Sequence, residues 1–565
     1  MKSNISYYSK NAESLSQQYN SVTFESVHRD WLEEIPSEGF VLDVGAGSGR
    51  DARYLADRGL SVVAVEPSPG IRDIARQYQI KNKIHWLSDS LPELTDVFSL
   101  QTKFDLILLS AVWMHIAPTN RERCIRKLSS LLKPNGKIII SLRHGECSDE
   151  RVMHPVSADE LAKFASQFGL SFKLLSTNQN EDELGRAGIY WETVMLQLPD
   201  DGTGAFPLIR NIAVNDNKSS TYKLALLRTL LRIAEGHPGA VIERTDEHVV
   251  LPMGLVSLYW TKLFKPLVDK FEMQQNNDAS KGLGFIKDDG WKKIISLSVN
   301  DLYLGASYQT EEVYLPLYKT LKEVANTIKN MPVKFTKIPG SQQPVFSAET
   351  NRTVKPNEGL ILNSDFLSSL GNFYVPVHVW DSLTRYSVWI EPTLVNEWSA
   401  IMASYQGNKA NSYSKLDYLN ALTWEDPERS TTRVRKRVDQ LISISEVSCC
   451  WSGKSLRESS YAVDHAFPFS RWPNNDLWNL LPTKSAINLK KSDKLPTSLK
   501  LTSAREFITS WWQLAWPADQ EEFFTQANYA LPNLQSTNRS FDDVFEAFCF
   551  QRDRIKDLQQ LEDWR

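Results

Sequence analysis

Short apolar runs recur through the first two hundred residues, separated by stretches with helical spacing. FVLDVGAG (40–47), LSVVAVEP (60–67), FDLILLSA (104–111) and GKIIISL (136–142) are the strand candidates. Helical spacing fits between them, for example over 50–58 and 120–132. SADELAKFASQFGLSFKLLS (157–176) predicts a further helix and strand, and GIYWETVMLQL (188–198) a last strand. Strands alternating with amphipathic helices predict an α/β fold built on a doubly wound sheet.

A turn-rich stretch, LPDDGTG (198–204), closes this region. Beyond it the pattern becomes mainly helical and less regular. TYKLALLRTLLRIAEG (221–236) has strong helical periodicity and a glycine stop, SLYWTKLFKPLVDKFEMQQ (257–275) is a second helix with lysines on one face, and QQNNDASKGLGF (274–285) is a loop. Inspection by eye finds no internal repeat. Residues 429–500 form a compact basic α+β segment, and aromatic and apolar residues among charges predict a helical tail over 501–565. The expected division is 1–200, 205–428, 429–500 and 501–565.

Composition agrees with several packed domains. At roughly 150 residues per domain, a 565-residue chain holds three or four. A 42% hydrophobic and 23% charged make-up excludes wholesale disorder. The five cysteines, at 124, 147, 449, 450 and 549, form neither a CxxC pair nor a regular framework, which predicts a reduced, cytoplasmic protein without structural zinc. The polar start MKSNISYYSKNAES predicts no signal peptide, and no run approaches the roughly 18 apolar residues that a membrane span needs. The overall net charge of −4 conceals a local excess: residues 429–505 carry 14 Lys+Arg against 6 Asp+Glu. Arg433, Arg435, Lys436 and Arg437 cluster within it, as a phosphate-binding face would require. A solvated helix face is the alternative for that cluster.

The first chemical constellation is Asp43-Val44-Gly45-Ala46-Gly47-Ser48-Gly49-Arg50, an apolar strand entering a glycine-rich turn and then a helix. Glycines there let the backbone turn tightly and approach a ligand closely. The next strand ends in Glu66, 17 residues past Gly49, where a carboxylate can accept ribose hydroxyls. In order, DVGAGSGR, VEPS, HWLSDSL, FDLILLSAVWMH and LLKPNGKIIISL resemble the blocks of class I S-adenosylmethionine-dependent methyltransferases, over roughly residues 1–200. The resemblance implies a Rossmann-like domain. It also implies cofactor contacts from Asp43, Gly45, Gly47, Gly49, Glu66, Asp89, Ser90 and Ser110, with Asp89 and Ser90 at the adenine. A dinucleotide dehydrogenase is the rival reading, but its GxGxxG pattern meets Arg50 at the third glycine. His115 is the general-base candidate, since a neutral imidazole takes a proton near pH 7; shaping the pocket is its plainer role. Ser110-Ala111-Val112-Trp113 is not the tetrapeptide of DNA amino-methylases, and neither Cys124 nor Cys147 has the context of a cytosine-C5 nucleophile. The methyl acceptor is therefore not readable.

The second constellation is Asp464-His465 before a proline loop, Asn479 at 14 residues beyond His465, Asn488 at 23, then Lys491-Ser492-Asp493-Lys494-Leu495-Pro496. This order resembles the HNH (ββα-metal) endonucleases, nearest to those of CRISPR RNA-guided effectors and bacterial defence enzymes. The resemblance implies that Asp464 and Asn488 hold a hard divalent cation, Mg²⁺ or Mn²⁺, through oxygen. It implies that His465 deprotonates water, that Asn479 holds the histidine loop in register and that Lys491 contacts phosphate. Asn488 stands where the family name has histidine.

Together these readings predict a methyltransferase fused to an HNH endonuclease. It would act on nucleic acid, DNA ahead of RNA, in bacterial defence or a restriction-like system, with homo-oligomerisation or a partner protein left open. Two alternatives are an S-adenosylmethionine sensor that gates the nuclease and an RNA-directed modification and cleavage enzyme. In the middle region Lys218, Lys223 and Arg228 are either DNA-lining or solvated charges.

Overall fold

In the computed structural model, residues 2–78, 84–147, 149–176, 180–200, 203–278, 280–339, 341–457, 460–534 and 539–564 are described. Asp201 and Gly202 of the expected turn, and Ala279 of the expected loop, lie outside them. The chain forms two compact units: Met1–Asn217 with Lys337–Gln343, and Lys218–Thr336 with Pro344–Arg565. The four sequence segments thus condense into two bodies: apart from 205–217 and 337–343, the middle segment shares the second with the nuclease and tail segments.

The first unit is built on a sheet whose strands are β1 (Phe40–Val44), β2 (Ser61–Val65), β3 (His85–Leu87), β4 (Phe104–Leu109), β5 (Leu132–His144), β6 (Ser171–Leu174), β7 (Asn180–Glu181) and β8 (Tyr190–Gln197). Their order is β3-β2-β1-β4-β5-β8-β6, with β7 pairing β8. β3, β2, β1, β4 and β5 run parallel, and β8 is antiparallel to both β5 and β6. Strands β1, β2 and β4 are almost wholly buried, because helices cover both faces of a parallel sheet. The chain leaves β1 toward β2 on one side and finds β4 on the other. That reversal opens a crevice at the carboxyl ends of the strands. Two helices absent from the sequence reading, Lys2–Lys10 and Ala12–Asn20, also belong to this unit.

In the second unit the helices Tyr222–Gly236, Met253–Lys265, Glu311–Ile328 and Val377–Ser404 surround a small sheet in which His248–Pro252 pairs with Asn372–Pro376. Of the lysines on one face of the second helix, Lys265 is buried and pairs with Asp269 at 2.8 Å. Arg228 is neither DNA-lining nor solvated. It is buried 2.9 Å from Glu391, because a guanidinium inside a core needs a carboxylate.

Strands β9 (Tyr461–His465) and β10 (Leu480–Lys484) form an antiparallel hairpin followed by the helix Ser485–Lys491, a ββα unit. So small a unit cannot bury a core of its own. One hydrophobic cluster therefore joins Val463, Trp478 and Leu481 to Trp511, Trp512, Phe545 and Phe548 of the C-terminal helices. Phe467 stacks on Phe548 at 4.5 Å, and the Trp511 and Trp512 indoles donate to the carbonyls of Leu480 and Trp478 at 3.2 and 3.1 Å. Residues 501–564 are thus the inner wall of the nuclease segment rather than an appendage.

Gly254 supplies a test of packing in the second unit. A Cβ there would stand 2.5 Å from the Leu367 carbonyl oxygen and 2.6 Å from its Cα. Glycine to alanine in a helix ordinarily gains up to about 1 kcal/mol. Gly254→Ala is expected instead to cost about 1–3 kcal/mol through overpacking. A lower urea midpoint for this unit checks it, and an unchanged or raised midpoint contradicts the contact.

Candidate functional sites

The crevice of the first unit holds a cavity of about 250 Å³, lined by Gly45, Gly47, Glu66, Asp89, Ser90, Ser110 and His115. The turn after β1 needs glycine. Gly45 has φ +73°, and a Cβ on it would meet the Val112 side chain at 2.6 Å. Glu66, at the end of β2, ties this turn to its own strand: its carboxylate accepts the Gly47 N–H at 2.9 Å and the Ser68 N–H at 2.8 Å. Burial pushes its pKa up, and these two N–H groups oppose the shift. Asp89 accepts the N–H groups of Ser90, Asp96 and Val97 at 2.8, 2.8 and 3.2 Å, so it also caps the helix Thr95–Ser99. Ser110 follows β4 on the cavity wall.

Two of the expected cofactor residues are not in the lining. Gly49 has φ +76° at the start of the helix Arg50–Asp57, and a Cβ there would press on the Trp86 ring at 3.0 Å. Its requirement for glycine is helix entry and packing. Asp43 is buried, with one carboxylate oxygen lacking a partner and its pKa raised by burial and then by nearby Asp51.

His115 stands at the end of a short turn, Trp113–His115. Its Nε2 lies 3.0 Å from the Tyr8 hydroxyl, and its Nδ1 lies 3.2 Å from the Val152 carbonyl oxygen and 3.1 Å from Asn4 Nδ2. With Nδ1–H donating to Val152, Nε2 offers its lone pair to Tyr8 O–H. Burial lowers the imidazole pKa, so the ring is neutral. Arg151 also donates to the Tyr8 hydroxyl, at 3.3 Å. Asn4, Tyr8 and Arg151 line the cavity and were not found from sequence, because no motif marks the polar N-terminal helices that carry the first two.

The second site is the hairpin and its helix. Asp464 and His465 end β9 opposite Leu481 and Leu480 of β10. Asp464 is buried: Oδ2 accepts the Trp451 indole N–H at 2.8 Å and Oδ1 accepts Lys491 Nζ at 3.1 Å. Lys491 Nζ also donates to the His465 carbonyl at 2.7 Å. Lys491 is 0% exposed, which corrects its expected contact with phosphate: the buried ammonium is spent on these two oxygens. Burial raises the Asp464 pKa and the Lys491 charge opposes that.

Asn479 is fully buried and pins the loop after His465. Its Oδ1 accepts the Phe467 N–H at 2.8 Å, its Nδ2 donates to the Asn474 carbonyl at 3.2 Å, and its own carbonyl accepts the Ala466 N–H at 2.8 Å. His465 Nε2 lies 3.1 Å from Asn475 Oδ1 and therefore carries the proton, while Nδ1 is buried without a partner. Burial pushes its pKa down to about 4. Asn488 is half-buried on the helix, and its side-chain amide makes no hydrogen bond among the described residues. The donor set fits a hard divalent cation: one carboxylate and one unengaged amide oxygen, with water and phosphate left to complete the shell. No group of three His, Cys, Asp or Glu suited to a metal occurs among the described residues. Cys449 and Cys450 are buried in the core.

The basic cluster is mostly committed internally. Arg433 pairs with Asp519 and Glu522 at 3.0 and 2.7 Å, and Arg437 donates to the Ala515 carbonyl at 2.7 Å. Arg435 and Lys436 remain exposed on the helix Thr432–Ile442.

Three family profiles match the chain: "Methyltransferase domain" over residues 42–140, "Domain of unknown function (DUF8808)" over 202–422 and "HNH endonuclease" over 449–497. An uncharacterized methyltransferase of Staphylococcus carnosus is 31% identical over 115 residues, covering 20% of this chain and 52% of that protein. One from Alkaliphilus oremlandii is 27% identical over 110 residues, covering 18% and 45%. The chain thus spans about half the length of the curated relatives it matches. Among solved structures, the magnesium protoporphyrin IX methyltransferase of Synechocystis is 17% identical, with 34% of this chain and 83% of that one covered and a TM-score of 0.24. The 1,6-didemethyltoxoflavin-N1-methyltransferase of Burkholderia thailandensis is 17% identical, with 35% and 88% covered and a TM-score of 0.28. Among the described residues no helix is long and apolar enough to cross a membrane.

The buried imidazole of the second site makes stability depend on pH. Histidine in an unfolded chain titrates near 6.5 and folded His465 at about 4, so on acidification the unfolded chain takes the proton first. The contribution of neutral His465 is complete above a pH of about 6.5 and is lost as pH falls through that value toward 4. Between about pH 7.5 and about pH 4.5 the wild type is expected to lose about 2–3 kcal/mol more stability than His465→Gln. Urea midpoints at the two pH values measure it, and equal losses contradict the burial of a neutral ring.

Proposed function

We propose that this chain, which carries a methyltransferase domain in its N-terminal part and an HNH endonuclease domain at residues 449–497, is a bifunctional enzyme. In this reading the first unit transfers a methyl group from S-adenosylmethionine and the second hydrolyses phosphodiester bonds in DNA with a divalent cation. The observation that carries the nuclease reading is the joint placement of Asp464 and His465 at the end of β9, with Asn488 on the helix that follows β10.

The chemistry follows from the residues. Asp464 and Asn488 would hold Mg²⁺, and the cation would supply positive charge for the phosphate and the leaving 3′ oxygen. The Lys491 charge favours the Asp464 anion against the burial that opposes it. His465, neutral and protonated at Nε2, takes the water proton at Nδ1. Asn479 keeps the loop behind the histidine from shifting. In the other unit, each Glu66 oxygen already accepts one backbone N–H and retains a lone pair for a ribose hydroxyl. The Tyr8–His115 pair gives a methyl acceptor a route for its proton. That pair favours transfer over sensing alone, because a sensor of the cofactor needs no base beside its cavity. Methylation and cleavage on one chain suit a bacterial defence or restriction-like role.

Purified protein with Mg²⁺ is expected to nick supercoiled plasmid. His465→Ala is expected to slow nicking by about 100-fold or more, the range of a lost general base. Asn488→Ala is expected to raise the Mg²⁺ concentration needed. Cleavage of RNA but not plasmid would overturn the DNA assignment. In calorimetry Glu66→Ala is expected to weaken S-adenosylmethionine binding by about tenfold or more, the equivalent of about 1.4 kcal/mol. An unchanged affinity would overturn the ribose role.

A further inference from the structure

The catalytic imidazole is shut away. His465 is 2% exposed, its Nε2 is held by Asn475 and its Nδ1 is sealed without a partner. The Phe469 ring stands edge-on to it at 5.2 Å. One nitrogen is spent on a hydrogen bond and the other meets no solvent, so in this arrangement the ring cannot take a proton from water.

The closure is not made by the ββα unit alone. Asn475 Nδ2 donates to the Glu428 carbonyl at 2.7 Å, and the Ser430 N–H donates to Asn475 Oδ1 at 3.2 Å. These two contacts orient the amide, turning its oxygen toward His465. Glu428 and Ser430 belong to an exposed stretch without helix or strand, 423–431, which leads from the middle region into the helix Thr432–Ile442. It lies outside the residues matched to the nuclease family. The linker has room to move, because both it and Asn475 border a cavity of about 1010 Å³.

We propose that this contact is an autoinhibitory latch. In the resting chain, linker residues 428–430 hold Asn475, and Asn475 holds the base of the nuclease away from water. Displacing the linker releases the amide, the loop carrying Asn475 opens, and His465 Nδ1 becomes accessible. The middle region, joined directly to the linker, thereby sets whether the nuclease is on. The inference rests on the nuclease reading above.

The test uses the full chain and two variants. Asn475→Ala removes the acceptor, and Ser430→Pro removes the linker N–H at an exposed position and stiffens the linker there. One readout is modification of His465 by diethyl pyrocarbonate, followed by mass spectrometry without metal. The other is plasmid nicking with Mg²⁺. In both variants His465 labelling is expected to rise about tenfold, near the upper limit for the loss of one net hydrogen bond, and nicking to rise with it. The added nicking should vanish when His465→Ala is combined with either variant. Unchanged labelling overturns the latch whatever the nicking does. Variants that label faster yet nick more slowly than wild type also overturn it, since the contact would then position the base rather than restrain it. Faster labelling with no His465-dependent nicking in any protein keeps the latch contact and overturns the nuclease reading instead.

Discussion

A buried ammonium must find a buried anion, and in the second unit that requirement organises the corner where Asp464 and His465 stand. Lys491 reaches from the last turn of the helix after β10 to the Asp464 carboxylate and the His465 carbonyl. Three pieces of backbone distant in sequence are thereby fixed together: the end of β9, the start of the loop and the helix that presents Asn488. Removing one partner of such a pair typically costs about 3–5 kcal/mol, because the other charge is left uncompensated. The same contact favours the Asp464 anion, against the burial that raises its pKa. Trp451 completes the arrangement by holding the second oxygen.

The two candidate sites solve a common problem differently. In the first unit the site is made by backbone: a turn that only glycine enters, with Glu66 bridging its N–H groups to the end of β2. Its reactive pair then comes from elements far apart, His115 after β4 and Tyr8 from the N-terminal helix. In the second unit the site is made by side chains: Lys491 and Trp451 satisfy the Asp464 carboxylate, Asn475 holds His465 Nε2, and His465 Nδ1 is left without a partner. Asn479 alone engages the backbone at residues 466, 467 and 474.

What could be read from sequence divides along physical lines. β1, β2, β4, β5 and β8 were legible because continuous apolar runs bounded by glycine and turn residues have few other folds. β5 extends beyond its apolar run, from Leu132 to His144, where His144 pairs with Tyr190 of β8, stacks on its ring at 4.5 Å and places Nε2 2.8 Å from the Glu192 carboxylate. The order Asp464, His465, Asn479, Asn488 was legible as a resemblance to the HNH endonucleases, whose profile matches residues 449–497. Directions of charged side chains were not. Arg228, Arg433 and Lys491 look in sequence like solvated or phosphate-binding cations, but their partners Glu391, Asp519 and Asp464 lie 27 to 163 residues away. The N-terminal helices were missed because they are mostly polar, and the stripe they do carry, Ile5, Tyr8, Ala12, Leu15 and Tyr19, is narrow. The tail was recognised as helical, but its role as the nuclease's core depends on long-range aromatic contacts that no local pattern announces.

The C-terminal wall also fixes an order of events during synthesis. Leu495–Pro496 pairs in parallel with Asp563–Trp564, and Arg552 bridges the two through the Pro496 carbonyl and the Asp563 carboxylate. The hairpin therefore leaves the ribosome well before the residues that cover it. At about 5–20 residues per second, the roughly 80 residues from Lys484 to Trp564 take on the order of 5–15 seconds to make. The methyltransferase unit, almost entirely upstream, can begin folding while the nuclease corner is still incomplete. A ribosome that stalls between Lys484 and Trp564 holds a chain with the first unit present and the hairpin still uncovered. Translation itself thus exposes the Asp464–His465 hairpin before it supplies the cover.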